Sequence, residues 1–219
     1  ANRKGRFRKG RQKVSAESRL IRMEKKKTIF GARQLAYAAV LLAICILSQA
    51  FKNLSVFITG PIVNACLALA VLTVNLPCAV VLSVIAPVTA WLITGNPLMS
   101  ALPAILLFIM GGNLVLVVTT ELWLKKRMLR GGRRAGGAVS YFLAFLCALV
   151  KGAFMGATIS LWLLPTFLPA ESPLRAKLPV FQTTFSLYQF LTACIGFVYV
   201  FVIWAAFRRD AENGGNPAD

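Results

Sequence analysis

Residues Val139 to Leu164 read VSYFLAFLCALVKGAFMGATISLWLL, an apolar run interrupted by a single charge, Lys151. A transmembrane helix needs about 20 mostly apolar residues, and this run is long enough. Five more runs of the same kind surround it: Ala32 to Ala50, about Phe57 to Val74, about Leu76 to Thr94, about Ala101 to Leu124 and about Leu178 to Phe207. Turn signals separate them. Asn75-Leu76-Pro77 and Gly95-Asn96-Pro97 are tight breaks, and Pro165, Pro169 and Pro173 mark an irregular loop. The pattern predicts an all-α membrane protein with six transmembrane helices.

Composition agrees. Of 219 residues, 58% are hydrophobic and 15% charged, with a mean hydropathy of +0.70. A soluble domain is about 45–50% apolar and about 25% charged. The net charge of +18 would suit a soluble nucleic-acid binder, but this hydropathy would not. The basic residues are also placed unevenly. Thirteen Lys/Arg lie in residues 1–33, six between the fourth and fifth runs, and Arg208 and Arg209 follow the sixth. With six spans these regions share one side, and the other side carries only Lys52, Arg175 and Lys177. The positive-inside rule then predicts both termini in the cytoplasm.

The chain divides into a basic cytoplasmic arm (1–30), a six-helix membrane domain (31–207) and a cytoplasmic tail (208–219). The arm is too long and too charged for a signal-peptide n-region. It sets topology and is expected to meet anionic lipid. No RNA-binding module accompanies it, so no nucleic-acid partner is expected.

Several chemistries are excluded by what is missing. There is no histidine, which removes Ser-His-Asp triads, His-based zinc sites and His-ligated haem. The acids are Glu17, Glu24, Glu121, Glu171, Asp210, Glu212 and Asp219, and only Glu121 borders an apolar run. No carboxylate pair is available for acid-base catalysis within the membrane. Cys45, Cys66, Cys78, Cys147 and Cys194 stand singly, with no CxxC, and read as small buried hydrophobes. The expectation is a non-enzyme without cofactor or metal.

Lys151 is the anomaly. A lysine at mid-membrane costs roughly 2.5–3.5 kcal/mol on insertion scales. It is either a structural, hydrogen-bonded lysine or a cation facing a ligand. At helical spacing Met155, Thr158 and Trp162 follow on its face. Asn64, Asn113, Gln182, Ser186 and Gln189 lie at middle or outer depths, the last three at i, i+4 and i+7. Asn and Gln both donate and accept hydrogen bonds. Each serves either as interhelical glue or as a ligand contact. Together they suggest a polar pocket open to the outside with Lys151 at its floor, lined by Phe181, Phe185 and Tyr188 or closed by their packing.

Three local patterns remain. Ala32, Ala36, Ala39 and Ala43 fall at 0, 4, 7 and 11, one narrow stripe of the first helix. Such stripes let helices approach closely, within the chain or against a partner. Gly60-Pro61 reads as a helix start. Glu121 and Lys125, at i and i+4, read as a local ion pair.

In these features the chain resembles the substrate-binding S component of an energy-coupling factor (ECF) transporter, over residues 30 to 207. The likeness rests on six spans with both termini inside and on the alanine pairs 32/36 and 39/43. Phe51-Lys52-Asn53, Gly60-Pro61-Ile62-Val63-Asn64-Ala65, Gly112-Asn113 and Lys151-Gly152 complete it. The resemblance implies an S-component-like bundle in a bacterial cytoplasmic membrane. It would bind a vitamin or cofactor precursor from outside and dock through its first-helix alanines onto a transmembrane coupling (T) subunit. Two ATPase subunits would energise transport, since this chain has no Walker A pattern. Absence of histidine sets it apart from the nickel and cobalt members. Other readings are a non-transporting scaffold or assembly protein, a secondary transporter, for which no internal repeat is visible, and, least, a membrane enzyme.

Overall fold

The structure is a computed structural model that describes residues 31–50, 56–130 and 137–213. Among these residues it is all helical, with six helices long and apolar enough to cross a membrane: Ala32–Ala50, Phe57–Val74, Leu76–Thr94, Ala104–Leu129, Ala138–Phe167 and Pro173–Phe207. The basic arm and Phe51-Lys52-Asn53 lie outside the described residues.

The helical pieces are α1 (Ala32–Ala50), α2 (Val56–Leu69), α3 (Leu76–Thr94), α4 (Pro97–Ala101), α5 (Ala104–Thr119), α6 (Lys126–Arg130), α7 (Ala138–Met155), α8 (Leu164–Phe167), α9 (Leu178–Phe185) and α10 (Leu187–Asn213). Wider π-helical turns extend α2 (Ala70–Val74), join α5 to α6 (Thr120–Lys125) and join α7 to α8 (Gly156–Leu163). A 3₁₀ turn, Pro173–Lys177, leads into α9.

Local chemistry sets the breaks. Asn75 is extended and its side chain accepts from the Cys78 amide at 2.8 Å, with Pro77 in the first turn of α3. Gly95, at φ +60°, ends α3 in the left-handed conformation that glycine adopts without strain. Asn96 then caps α4 through the Leu98 amide at 2.9 Å. The fourth span therefore starts at Ala104, three residues later than the sequence suggests, because Pro97–Ala101 form a separate short helix. Gly60-Pro61 does not start a helix. α2 begins at Val56 and carries Pro61 in its interior. The sixth span is not one helix from Leu178 but two, interrupted at Ser186 (φ −113°, ψ −85°).

Packed neighbours form a closed ring in the order α1, α3, α5, α7, α10, α2, with α2 also reaching across to α5. Two apolar clusters fill it. One lies towards the end that holds both termini of the bundle and includes Leu67, Val71, Leu116, Cys147, Ala148 and Phe197. The other lies towards the far end and includes Leu98, Ile105, Met155, Ile159, Leu164 and Phe185. Lys151 falls between Ala148 of the first and Met155 of the second. The cysteines are free, four of them buried, and Lys125 pairs with Glu121 at 2.8 Å.

Candidate functional site

Lys151, 2% exposed, is the largest fully buried side chain. Its Nζ donates to Asn64 Oδ1 at 2.5 Å and to Asn113 Oδ1 at 2.9 Å. Three membrane helices, α2, α5 and α7, thus meet at one ammonium group. Each amide is itself held. Asn64 Nδ2 donates to Thr192 Oγ1 of α10 at 3.3 Å, and Asn113 Nδ2 donates to the Ser83 carbonyl of α3 at 3.5 Å. That carbonyl is available because Pro87, four residues on, has no N–H to give it. Pro87 therefore frees the acceptor that Asn113 Nδ2 reaches while its Oδ1 faces the lysine.

The helices come this close because glycine stands where a side chain would collide. A Cβ on Gly152 would lie 2.7 Å from Phe190 Cβ and 3.2 Å from its Cα. A Cβ on Gly196 would lie 2.9 Å from the Pro61 carbonyl and 3.2 Å from the Ala65 amide. In both cases backbone is in the way, so the neighbour cannot simply rotate aside.

The electrostatics are one-sided. An ammonium group has three donors, and two acceptors are present. Among the described residues the one ion pair is Lys125–Glu121, so Lys151 has no carboxylate partner. Buried charges are normally paired or coordinate a metal, and no group of three or more His, Cys, Asp or Glu is assembled among the described residues. The arrangement suits binding of a carboxylate, a phosphate or a polarised carbonyl.

The other expected site residues are dispersed. Gln182 and Ser160 bond reciprocally: Ser160 Oγ donates to the Gln182 carbonyl at 2.8 Å, and Gln182 Nε2 donates to the Ser160 carbonyl at 2.9 Å. Ser186 Oγ donates to the Gln182 carbonyl at 2.6 Å. Gln189 lies on α10, beyond the interruption at Ser186, so the i, i+4, i+7 alignment with Gln182 and Ser186 is not kept. Thr158 donates to its own helix at the Phe154 carbonyl. Trp162 is 51% exposed and meets Phe108 and Phe167 edge-on. It does not share the face of Lys151. The reason is the π-helical stretch Gly156–Leu163, whose wider turns break the 100° spacing on which that alignment depends. Of the aromatics, Phe185 and Phe181 belong to the far-end apolar cluster, and Tyr188 meets Phe57 in a tilted contact, 4.8 Å between ring centroids. The far half above Lys151 is thus filled by apolar side chains, and Gln182 and Ser186 line a groove beside it whose walls include Gly152 but not Lys151.

Sequence reasoning did not single out Ser83, Thr192 and Ser160. Pro87 inside an apolar span signals a released carbonyl at Ser83. Nothing comparable marks Thr192 or Ser160.

The alanine stripe faces outward. Ala32, Ala36, Ala39 and Ala43 are all exposed, and α1 buries only Ala38, Cys45, Ser48 and Gln49. The opposite side of α1 is tied to α3, with Gln49 Nε2 donating to the Ala86 carbonyl at 3.2 Å and Gln49 Oε1 accepting from Thr89 Oγ1 at 3.1 Å. No protein-family model matches this chain, and no curated protein or solved structure matches it.

Proposed function

We propose that this chain is the substrate-capture subunit of an ECF-type importer in a bacterial cytoplasmic membrane, with both termini inside. It takes a vitamin or cofactor precursor from outside and delivers it through a T subunit driven by two ATPase subunits. The observation that carries this reading is Lys151: a fully buried lysine, held by two amide oxygens from two other helices and lacking a counter-charge among the described residues. An intramembrane ionisable residue held this way is by default a functional-site group, and its chemistry selects an anionic or carbonyl-rich ligand. The outward alanine stripe supports docking, because small residues turned away from their own bundle favour close approach by another helix. The basic arm would lie on anionic lipid at the inner surface. No catalytic step and no nucleic acid enter this reading.

A scaffold or assembly role is the second reading. The closed packing of the far-end cluster over Lys151 favours it, since there the polar network would serve only as interhelical glue. Native mass spectrometry of the detergent-purified protein separates the two. A small anionic molecule that copurifies with the wild type and is absent from Lys151→Met supports capture. An empty protein that no vitamin in a panel stabilises against heat, and that retains a membrane partner, supports the scaffold.

A further inference from the structure

The capture reading leaves a question of access. Lys151 is closed over, yet one element above it is built differently from the rest of the bundle. The sixth span is interrupted at Ser186, where φ −113° and ψ −85° depart from the helix on either side. The eight-residue α9 is therefore a separate rod beyond that point. Its outer side is open: Val180 is exposed, and Thr184 Oγ1 donates to the Val180 carbonyl of the same rod. It is held to the fifth span by Phe185, buried in the far-end cluster with Met155 and Ile159, by Leu178 and Phe181 packed against that cluster, and by the reciprocal Ser160–Gln182 pair.

That pair has a backbone cause. In the wide turn of the fifth span the Leu164 amide bonds the Ile159 carbonyl, one residue further back than in an α-helix. In that register the next amide would serve Ser160, but residue 165 is proline and has none. The Ser160 carbonyl is left for Gln182 Nε2 to fill. Alongside the contact runs a groove of about 560 Å³ between the fifth span and α9, lined by Gly152, Gly156, Ser160, Gln182 and Ser186 among others. It reaches the residue next to Lys151. Along this groove the fifth span presents small residues, Gly152, Ala153, Gly156, Ala157 and Ser160, so the interlocking contacts of the rod are confined to its face on the far-end cluster.

We propose that α9 is a gate. It turns at Ser186, is latched by Ser160–Gln182 and plugged by Phe185, and its parting from the fifth span opens the route to Lys151. This rests on the capture reading for its purpose but not for its test, which needs no ligand. A single cysteine replaces Met155, a fully buried side chain of the same cluster as Phe185 and one helical turn from Lys151, in a variant whose five native cysteines are serine or alanine. Its rate of modification by a small hydrophilic thiol reagent is measured on the intact purified protein. A second reporter, Ala148→Cys, sits in the cluster on the other side of Lys151.

Unlatching with Gln182→Ala, and separately with Ser160→Ala, should speed modification at position 155 by about five- to tenfold, the population gain for one net hydrogen bond lost. Position 148 should be unaffected. Unchanged rates at 155 in both latch variants would overturn the gate, as would equal acceleration at 155 and 148, which would mean general loosening. If the gate behaves as expected and no anionic molecule is ever found, the capture reading fails while the hinge stands.

Discussion

If Lys151 is retained for a ligand, the network around it should be a poor source of stability, and three variants give that statement a sign. Asn113→Leu leaves the ammonium with one acceptor. Between membrane helices a hydrogen bond contributes about 0.6 kcal/mol on average and at most about 1.7, so this variant should lose about 1 kcal/mol. Lys151→Met keeps an unbranched stem up to Cε and removes the charged Nζ. It forfeits two interhelical bonds, at about 0.6 kcal/mol each on average in membranes, and orphans two amide oxygens. Against this it releases a mid-membrane lysine that costs roughly 2.5–3.5 kcal/mol to insert. The terms nearly cancel, and stability should stay within about 1 kcal/mol of wild type. The triple variant Lys151→Met, Asn64→Leu, Asn113→Leu removes both the charge and its orphans. Apolar replacement of a buried charged cluster is often neutral or stabilising by about 1–4 kcal/mol, so it should match or exceed the wild type. Unfolding of each protein from bicelles by dodecyl sulfate measures the series. A loss above about 3 kcal/mol in Lys151→Met, beyond the sum of its forfeited bonds, would refute the reasoning, as would a triple variant less stable than the wild type. Either result would make the lysine structural glue.

Three further outcomes follow from the geometry. Gly196→Ala drives a Cβ against the α2 backbone and should cost about 1–3 kcal/mol as an overpacking change, read by the same unfolding assay. Pro87→Ala returns an N–H to the Ser83 carbonyl and competes with Asn113 for it. Stability should change by less than about 1 kcal/mol, near the net value of one hydrogen bond, whereas affinity for the copurifying ligand, measured by calorimetry, should fall. Ala36→Leu with Ala39→Leu alters exposed positions and should shift stability by no more than about 0.5 kcal/mol, yet abolish ATP-driven uptake in cells that carry the coupling subunits. Uptake that survives both changes would remove the docking surface.

Helix number and placement were legible because a membrane imposes length and hydropathy on every span, and Pro and Gly punctuate the loops. The meeting of Asn64, Asn113 and Lys151 was legible only as three polar residues at compatible depths. Nothing in the sequence says that both amide oxygens turn to one nitrogen. Trp162 was misaligned with Lys151 because a wide turn in a helix leaves no compositional mark: Gly156 to Leu163 reads like any apolar stretch. Ser186 likewise looks like one more polar residue on a long helix, although it interrupts that helix. The released Ser83 carbonyl was recoverable, since Pro87 announces it.

The chain order of the lysine network bears on how the protein is made. Both acceptors, Asn64 and Asn113, belong to spans synthesised before the one that carries Lys151. When α7 leaves the translocation machinery, its partners already stand in the bilayer. The lysine can exchange water for amide oxygens as it enters, without first crossing bare hydrocarbon. Had the charge been placed on α2 and the amides on later spans, a lone cation would have had to wait in lipid for its acceptors. The sequence of synthesis thereby lowers the barrier to inserting the least lipid-soluble residue of the bundle.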